Sequence, residues 1–109
     1  MKFIRVIKSY KSKAYNVSLE KYEDNGWSIY KDETTMNINE AKSLAKEYIS
    51  HHKSDKDIWI VTITKGTTYW GESADDFDED PIYIICNKED AKDIVENDYK
   101  YVDTIEYLK

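Results

Sequence analysis

Pro81-Ile-Tyr-Ile-Ile-Cys-Asn-Lys-Glu-Asp-Ala-Lys-Asp-Ile-Val95 is the stretch that frames the chain. Ile82–Cys86 is a short, β-rich apolar run and reads as a buried strand. Asn87 has the chemistry of a helix N-cap, and Asp90 three residues on gives an imperfect capping box. Ala91, Ile94 and Val95 then share one helical face. The same pattern stands earlier, where Asn37-Ile-Asn-Glu40-Ala41-Lys42-Ser43-Leu44-Ala45 matches at Asn, Ala and Lys. Two strand-cap-helix units are therefore expected, the second opening at Asn87.

Outward from these units, strand signals dominate. Lys2–Tyr10 alternates charge and hydrophobe and reads as a strand, followed by a polar turn at Lys11-Ser-Lys13. Tyr15, Val17 and Leu19 alternate with Asn16, Ser18 and Glu20, the pattern of a half-buried strand. Glu23-Asp-Asn-Gly26 is a hairpin turn leading into Trp27–Lys31. A helix is expected from Asn37 to about His52, with Ile38, Ala41, Leu44, Ala45, Tyr48 and Ile49 as its apolar stripe. Glu40 in its first turn and His51, His52 and Lys53 in its last suit the helix dipole.

Ile58–Ile63 is the most apolar β-branched run and reads as a central strand. Lys65-Gly66 is expected to turn it into a second hairpin arm, Thr67–Trp70. Gly71–Asp80 reads as a polar loop, and Tyr101–Leu108 as a closing strand. The resulting order is βββ-α-βββ-α-β. Strands grouped in hairpins with two helices predict an α+β fold, a two-layer sandwich with a mostly antiparallel sheet and both helices on one face. At 109 residues one compact domain is expected over 1–109.

Composition narrows the function classes. The net charge is −6. Through Tyr22, six cations face one carboxylate, +5, so the remaining residues carry −11. An acidic surface repels nucleic acid and anionic membranes, which argues against direct nucleic-acid binding and favours a basic partner. Cys86 is the one cysteine, so no internal disulfide forms. With no apolar leader or membrane-length run, a cytoplasmic home is expected.

Six carboxylates, Glu72, Asp75, Asp76, Asp78, Glu79 and Asp80, lie within nine residues. The Asp76, Asp78, Asp80 spacing matches the first EF-hand ligands, but Pro81 stands where the turn glycine is needed and Asn87 where the bidentate Glu is needed. In an extended segment those three would project from one side roughly 6–7 Å apart. Such a row imitates phosphates and fits a basic nucleic-acid groove. The bland alternative is a solvated loop. Glu96 and Asp98 form a lesser patch at the C-terminal end of the second helix. There carboxylates oppose the dipole, unless Lys92 and Lys100 offset them.

No other motif carries chemistry. Gly66-Thr-Thr-Tyr-Trp-Gly71 has P-loop glycine spacing, but Glu72 replaces the essential Lys. Adjacent His51 and His52 diverge by about 100° on a helix and chelate poorly together. Cys86 reads as a small core residue. No catalytic, metal or cofactor set is expected.

In size, charge and absence of catalytic residues the chain resembles the small inhibitors that phages and mobile elements make against host nucleases, anti-restriction and anti-CRISPR proteins among them. The likeness is one of composition and role, and no motif carries it. The leading expectation is thus a non-catalytic protein-binding module that blocks a basic site on a nucleic-acid-processing protein. One alternative is a self-associating subunit, a homodimer through an exposed Tyr- and Trp-rich sheet face. Another is a small ligand-binding domain or enzyme with a pocket between sheet and helices.

Overall fold

The computed structural model describes residues 11–69, 75–77 and 80–108. Strand β1 is Lys11–Glu23, β2 Gly26–Thr35, β3 Trp59–Tyr69, β4 Asp75–Phe77, β5 Tyr83–Cys86 and β6 Thr104–Tyr107. Helix α1 is Ile38–Ser50 and α2 is Lys92–Asp98, preceded by a 3-10 turn at Glu89–Ala91. The sheet order is β2-β1-β3-β5-β6, with β4 beside the C-terminal half of β3. Among the described strands only the β5–β6 pair is parallel. The α+β class and the mostly antiparallel sheet are as the sequence predicts. The expected strand at Lys2–Tyr10 lies outside the described residues, and Lys11–Lys13, expected as a turn, belongs to β1.

The first hairpin closes where its sequence says. Glu23 pairs with Gly26, and the two residues between them, Asp24 and Asn25, have φ of 54° and 63°. Asp and Asn tolerate that left-handed conformation, and two such residues in succession match the strand twist. Further along, Leu19 pairs with Lys31 but Glu20 with Ile29, so Tyr30 is an extra residue, a β-bulge. Two successive side chains then share one face. The Tyr30 ring meets Trp59 at 5.0 Å, and the Lys31 ammonium lies 5.1 Å from the Tyr48 ring.

Helix α1 begins at its expected cap. The Asn37 side chain accepts from the N–H groups of Asn39 (2.7 Å) and Glu40 (3.3 Å). The helix ends at Ser50, with His51 as its C-cap, so the expected basic last turn is absent. Its buried stripe, Ala41, Ala45, Tyr48 and Ile49, packs on Val17, Leu19, Trp59, Val61, Ile63, Tyr83 and Ile85.

Three expectations need correction. The helices do not share a face. Trp59, Val61 and Ile63 of β3 point to α1, whereas Ile60 with Ile84 and Cys86 packs on Ala91 and Val95, the 3-10 turn and α2. Alternate residues of a strand face opposite sides, so the sheet is covered on both. Second, Lys65-Gly66 is no turn. β3 runs straight through it, because Gly66 pairs with Ala14 of β1 on one side and Phe77 of β4 on the other. Third, Asn87 caps no helix. Its side chain is 3% exposed and bonds the backbone of the loop between α1 and β3. Lys88 precedes the 3-10 turn without any side-chain cap. The likeness between the two halves therefore ends at the sequence.

Candidate functional site

Of the acidic segment, Glu72, Asp78 and Glu79 lie outside the described residues. Asp75 and Asp76 stand in β4, paired with Thr68 and Thr67, so this part of the expected polar loop is strand. Asp80 is exposed. Glu96 and Asp98 are also exposed, and each accepts one hydrogen bond. Tyr107 Oη donates to Glu96 Oε2 at 3.3 Å, and Trp27 Nε1 to Asp98 Oδ2 at 2.8 Å. These ring donors stabilise the carboxylates at the helix end, the part the sequence assigned to Lys92 and Lys100.

The two acidic regions are not brought together. Tyr107 is opposite Cys86, and Cys86 opposite Ile60. β4 pairs at Gly66–Thr68. At about 3.3 Å per strand residue, roughly 20 Å separates the two levels along β3.

A different acidic site forms between α1 and β2. Glu33, Glu40 and Glu47 line a groove of about 430 Å³ with Thr35, Asn39, Ser43 and Leu44. The local sequence explains the convergence. Glu40, Ser43, Leu44 and Glu47 fall at i, i+3, i+4 and i+7 and form one helix stripe. Glu33 joins them through the bulge: without the extra residue at Tyr30, strand alternation would turn Glu33 to the opposite face. Tyr48 Oη donates to Glu33 Oε1 at 3.2 Å. Burial and the neighbouring Glu33 carboxylate raise the Tyr48 phenol's pKa. Among the described residues no lysine or arginine lines the groove. Sequence reading missed this trio, because its members are spread over 15 residues and meet only once the bulge sets the register.

A second cluster surrounds Trp59. The His52 ring stacks on it at 3.9 Å, Tyr30 meets it edge-on, and Lys21 Nζ lies 5.7 Å from its centroid. His52 Nδ1 and Asp55 Oδ2 are 2.9 Å apart, and that contact holds the Asp55 carboxyl below its usual range. Lys21 pairs with Asp57 at 3.5 Å. The buried Trp59 Nε1 has no partner in hydrogen-bond geometry, although the indole N–H helps to lower the pKa of Asp55. Thus His52 serves a local pair. Among the described residues, no three His, Cys, Asp or Glu side chains gather as metal ligands do. Cys86 is buried, and burial pushes its thiol up, away from thiolate reactivity.

On the α2 face, half-buried Glu20 accepts from Thr62 Oγ1 at 3.1 Å and from the Tyr99 phenol. Burial raises its pKa, the two hydrogen bonds lower it in part, and Asp32 raises it further. Since the folded-state value lies above the unfolded one, Glu20's contribution is fully present below about 4.5 and is lost as pH rises through the folded value. Glu20→Gln is therefore expected to stabilise the fold at pH 7 relative to the parent, and to lose that advantage at pH 4. Urea midpoints at the two pH values test this; an equal difference at both would refute it.

Comparison of the chain with protein-family models, curated proteins and solved structures gives no significant match. No described helix is long and apolar enough to cross a membrane.

Proposed function

We propose that the chain is a non-catalytic protein-binding module whose acidic surface engages a basic site on another protein. The observation that supports this is the state of its carboxylates. Among the described residues one lysine–carboxylate ion pair forms, Lys21–Asp57, and His52 Nδ1 lies 2.9 Å from Asp55 Oδ2. The other described carboxylates have no described cation within pairing distance, and the sequence as a whole carries 22 carboxylates against 16 cations, a negative field suited to a basic partner. The finer reading is an inhibitor of a nucleic-acid-processing enzyme, of the kind phages and mobile elements deploy. In it Asp75, Asp76, Asp78, Glu79 and Asp80 take the place of phosphates in the enzyme's channel. Composition supports it, and the chain would act in the cytoplasm where such enzymes work.

The test is a panel of purified nucleases and restriction enzymes assayed for DNA binding at low salt. One of them is expected to lose DNA binding stoichiometrically with added protein, with salt relieving the effect. Reversing Asp76, Asp78 and Asp80 to Lys brings the net charge from −6 to zero and is expected to weaken inhibition at least about a hundredfold. Unchanged inhibition by the triple variant would remove the phosphate-row mechanism.

A self-associating subunit is the second reading, favoured by where apolar surface is exposed. Of the four large hydrophobic side chains exposed among the described residues, Ile29 and Tyr30 lie on β2 and Met36 just beyond it. Light scattering at two concentrations separates the readings, because this one requires a dimer.

A further inference from the structure

We propose that the outer edge of β2, with the groove between it and α1, takes up an extended lysine- or arginine-rich segment of a partner protein by strand addition. This rests on the protein-binding reading above and names its surface.

Three independent features converge on that edge. β2 is a ten-residue strand with β1 as its only strand neighbour among the described residues. The opposite edge, β6, has only four residues. An unpaired edge offers a row of backbone donors and acceptors to an incoming strand. The exposed apolar side chains Ile29 (61%), Tyr30 (53%) and Met36 (54%) flank the same edge and supply anchors. Beside it lies the groove with Glu33, Glu40 and Glu47 around Leu44.

The groove decides which occupant fits. Lys and Arg have long aliphatic stems and charged heads. The stem lies against Leu44, and the head reaches the carboxylates. Glu40 and Glu47 are two helical turns apart, about 10 Å, a span that two same-side cations of an extended segment cover.

A second copy of this chain fits less well. A two-fold pairing of the regular stretch Lys31–Thr35 would set Glu33 against its own copy and bring two acidic grooves together. Like charges directly opposite destabilise a strand pair. The charges and the bulge at Tyr30 are the devices by which edges avoid their own kind. They leave a basic strand admissible.

The experiment titrates the whole protein, labelled with nitrogen-15, with a capped nine-residue peptide alternating lysine and valine at low salt. Amide shifts are expected along Gly26–Met36 and in α1 near Glu40–Glu47. The double variant Glu40→Lys with Glu47→Lys, at exposed helix positions, is expected to weaken binding on the order of tenfold. A lysine–proline peptide of the same length, lacking donors at alternate positions, is expected to bind at least about tenfold more weakly.

Equal binding of the two peptides would rule out strand addition. Shifts confined to Asp75–Asp80 and α2 would leave the protein-binding reading standing and overturn this surface. Concentration-dependent shifts along β2 without peptide would give the edge to a second copy, against the proposal. No shift at any amide would overturn this surface, while the nuclease panel decides the protein-binding reading separately. The shift map of the unaltered protein decides among these outcomes even if the double variant folds poorly.

Discussion

Asn87→Ala is expected to cost about 3–5 kcal/mol of stability, far more than an asparagine-to-alanine change at a helix cap. The side chain sits 3% exposed between β5 and the loop joining α1 to β3. Its Oδ1 accepts from Trp59 N at 2.9 Å, and its Nδ2 donates to His52 O at 2.8 Å and Asp57 O at 2.9 Å. Alanine leaves one backbone donor and two carbonyls without their partner. The buried Trp59 N–H so orphaned costs about 1–3 kcal/mol, and the two part-buried carbonyls each add less. For a domain of this size the melting temperature should fall by at least about 12 °C. Asn87→Asp should not rescue it, because it restores the acceptor, removes both donors and adds a buried charge. A loss under about 1 kcal/mol in urea unfolding would mean that the loop does not depend on this clamp.

The second large effect tests the two-sided burial of the sheet. Ile84→Asp and Ile85→Asp are both expected to abolish cooperative unfolding. Ile84 is 0% exposed and packs with α2, while Ile85 is 1% exposed and packs with α1. Each substitution drives a carboxylate into a position no more than 1% exposed, and burying one costs more than a domain of this size can lose. If both helices lay on one face, one of the two substitutions would put its charge in water and be tolerated. A sharp melt from either variant would return the fold to two layers.

Much of the architecture was legible because local and tertiary demands agree there. Asn37 both ends an extended segment and bonds two free helix N–H groups, so its signal was sound. Asp24-Asn25 accepts positive φ and also sits where the hairpin must reverse. Where the levels disagree, the local signal misled. Lys65-Gly66 has turn chemistry, but strands on both sides satisfy its backbone, and pairing prevails. Asn87 has cap chemistry, yet burial against the α1–β3 loop gave its amide three backbone partners. The opposite placement of the helices was signalled by Ile58–Ile63 and Ile82–Cys86. Both runs are apolar at odd and even positions alike, which is the signature of a strand covered on both faces.

The candidate site was less legible. The acidic run at Glu72–Asp80 is conspicuous in sequence because its members are neighbours. Glu33, Glu40 and Glu47 are not neighbours, and their meeting depends on one inserted residue in β2. Nothing in the composition around Tyr30 marks a bulge, since its effect is on register rather than on residue type. Glu96 and Asp98 were conspicuous for opposing a helix dipole. Trp27 and Tyr107, the donors that stabilise them, come from strands 71 and 11 residues away.

The pairing of β1 with β3 also shapes how the chain comes to be folded. The hairpin of β1 and β2 closes over two residues, but the partners across β1–β3 are 38 to 58 positions apart, from Lys21–Trp59 to Lys11–Tyr69. At a synthesis rate of about 5–20 residues per second, the inner side of β1 waits roughly 2–12 s after its own translation before β3 exists. During that interval the inner edge of β1 has no strand partner, and the nascent hairpin is a substrate for chaperones or for pairing between neighbouring ribosomes' products. Refolding of the finished chain faces the same long closure and should run in milliseconds to seconds rather than microseconds.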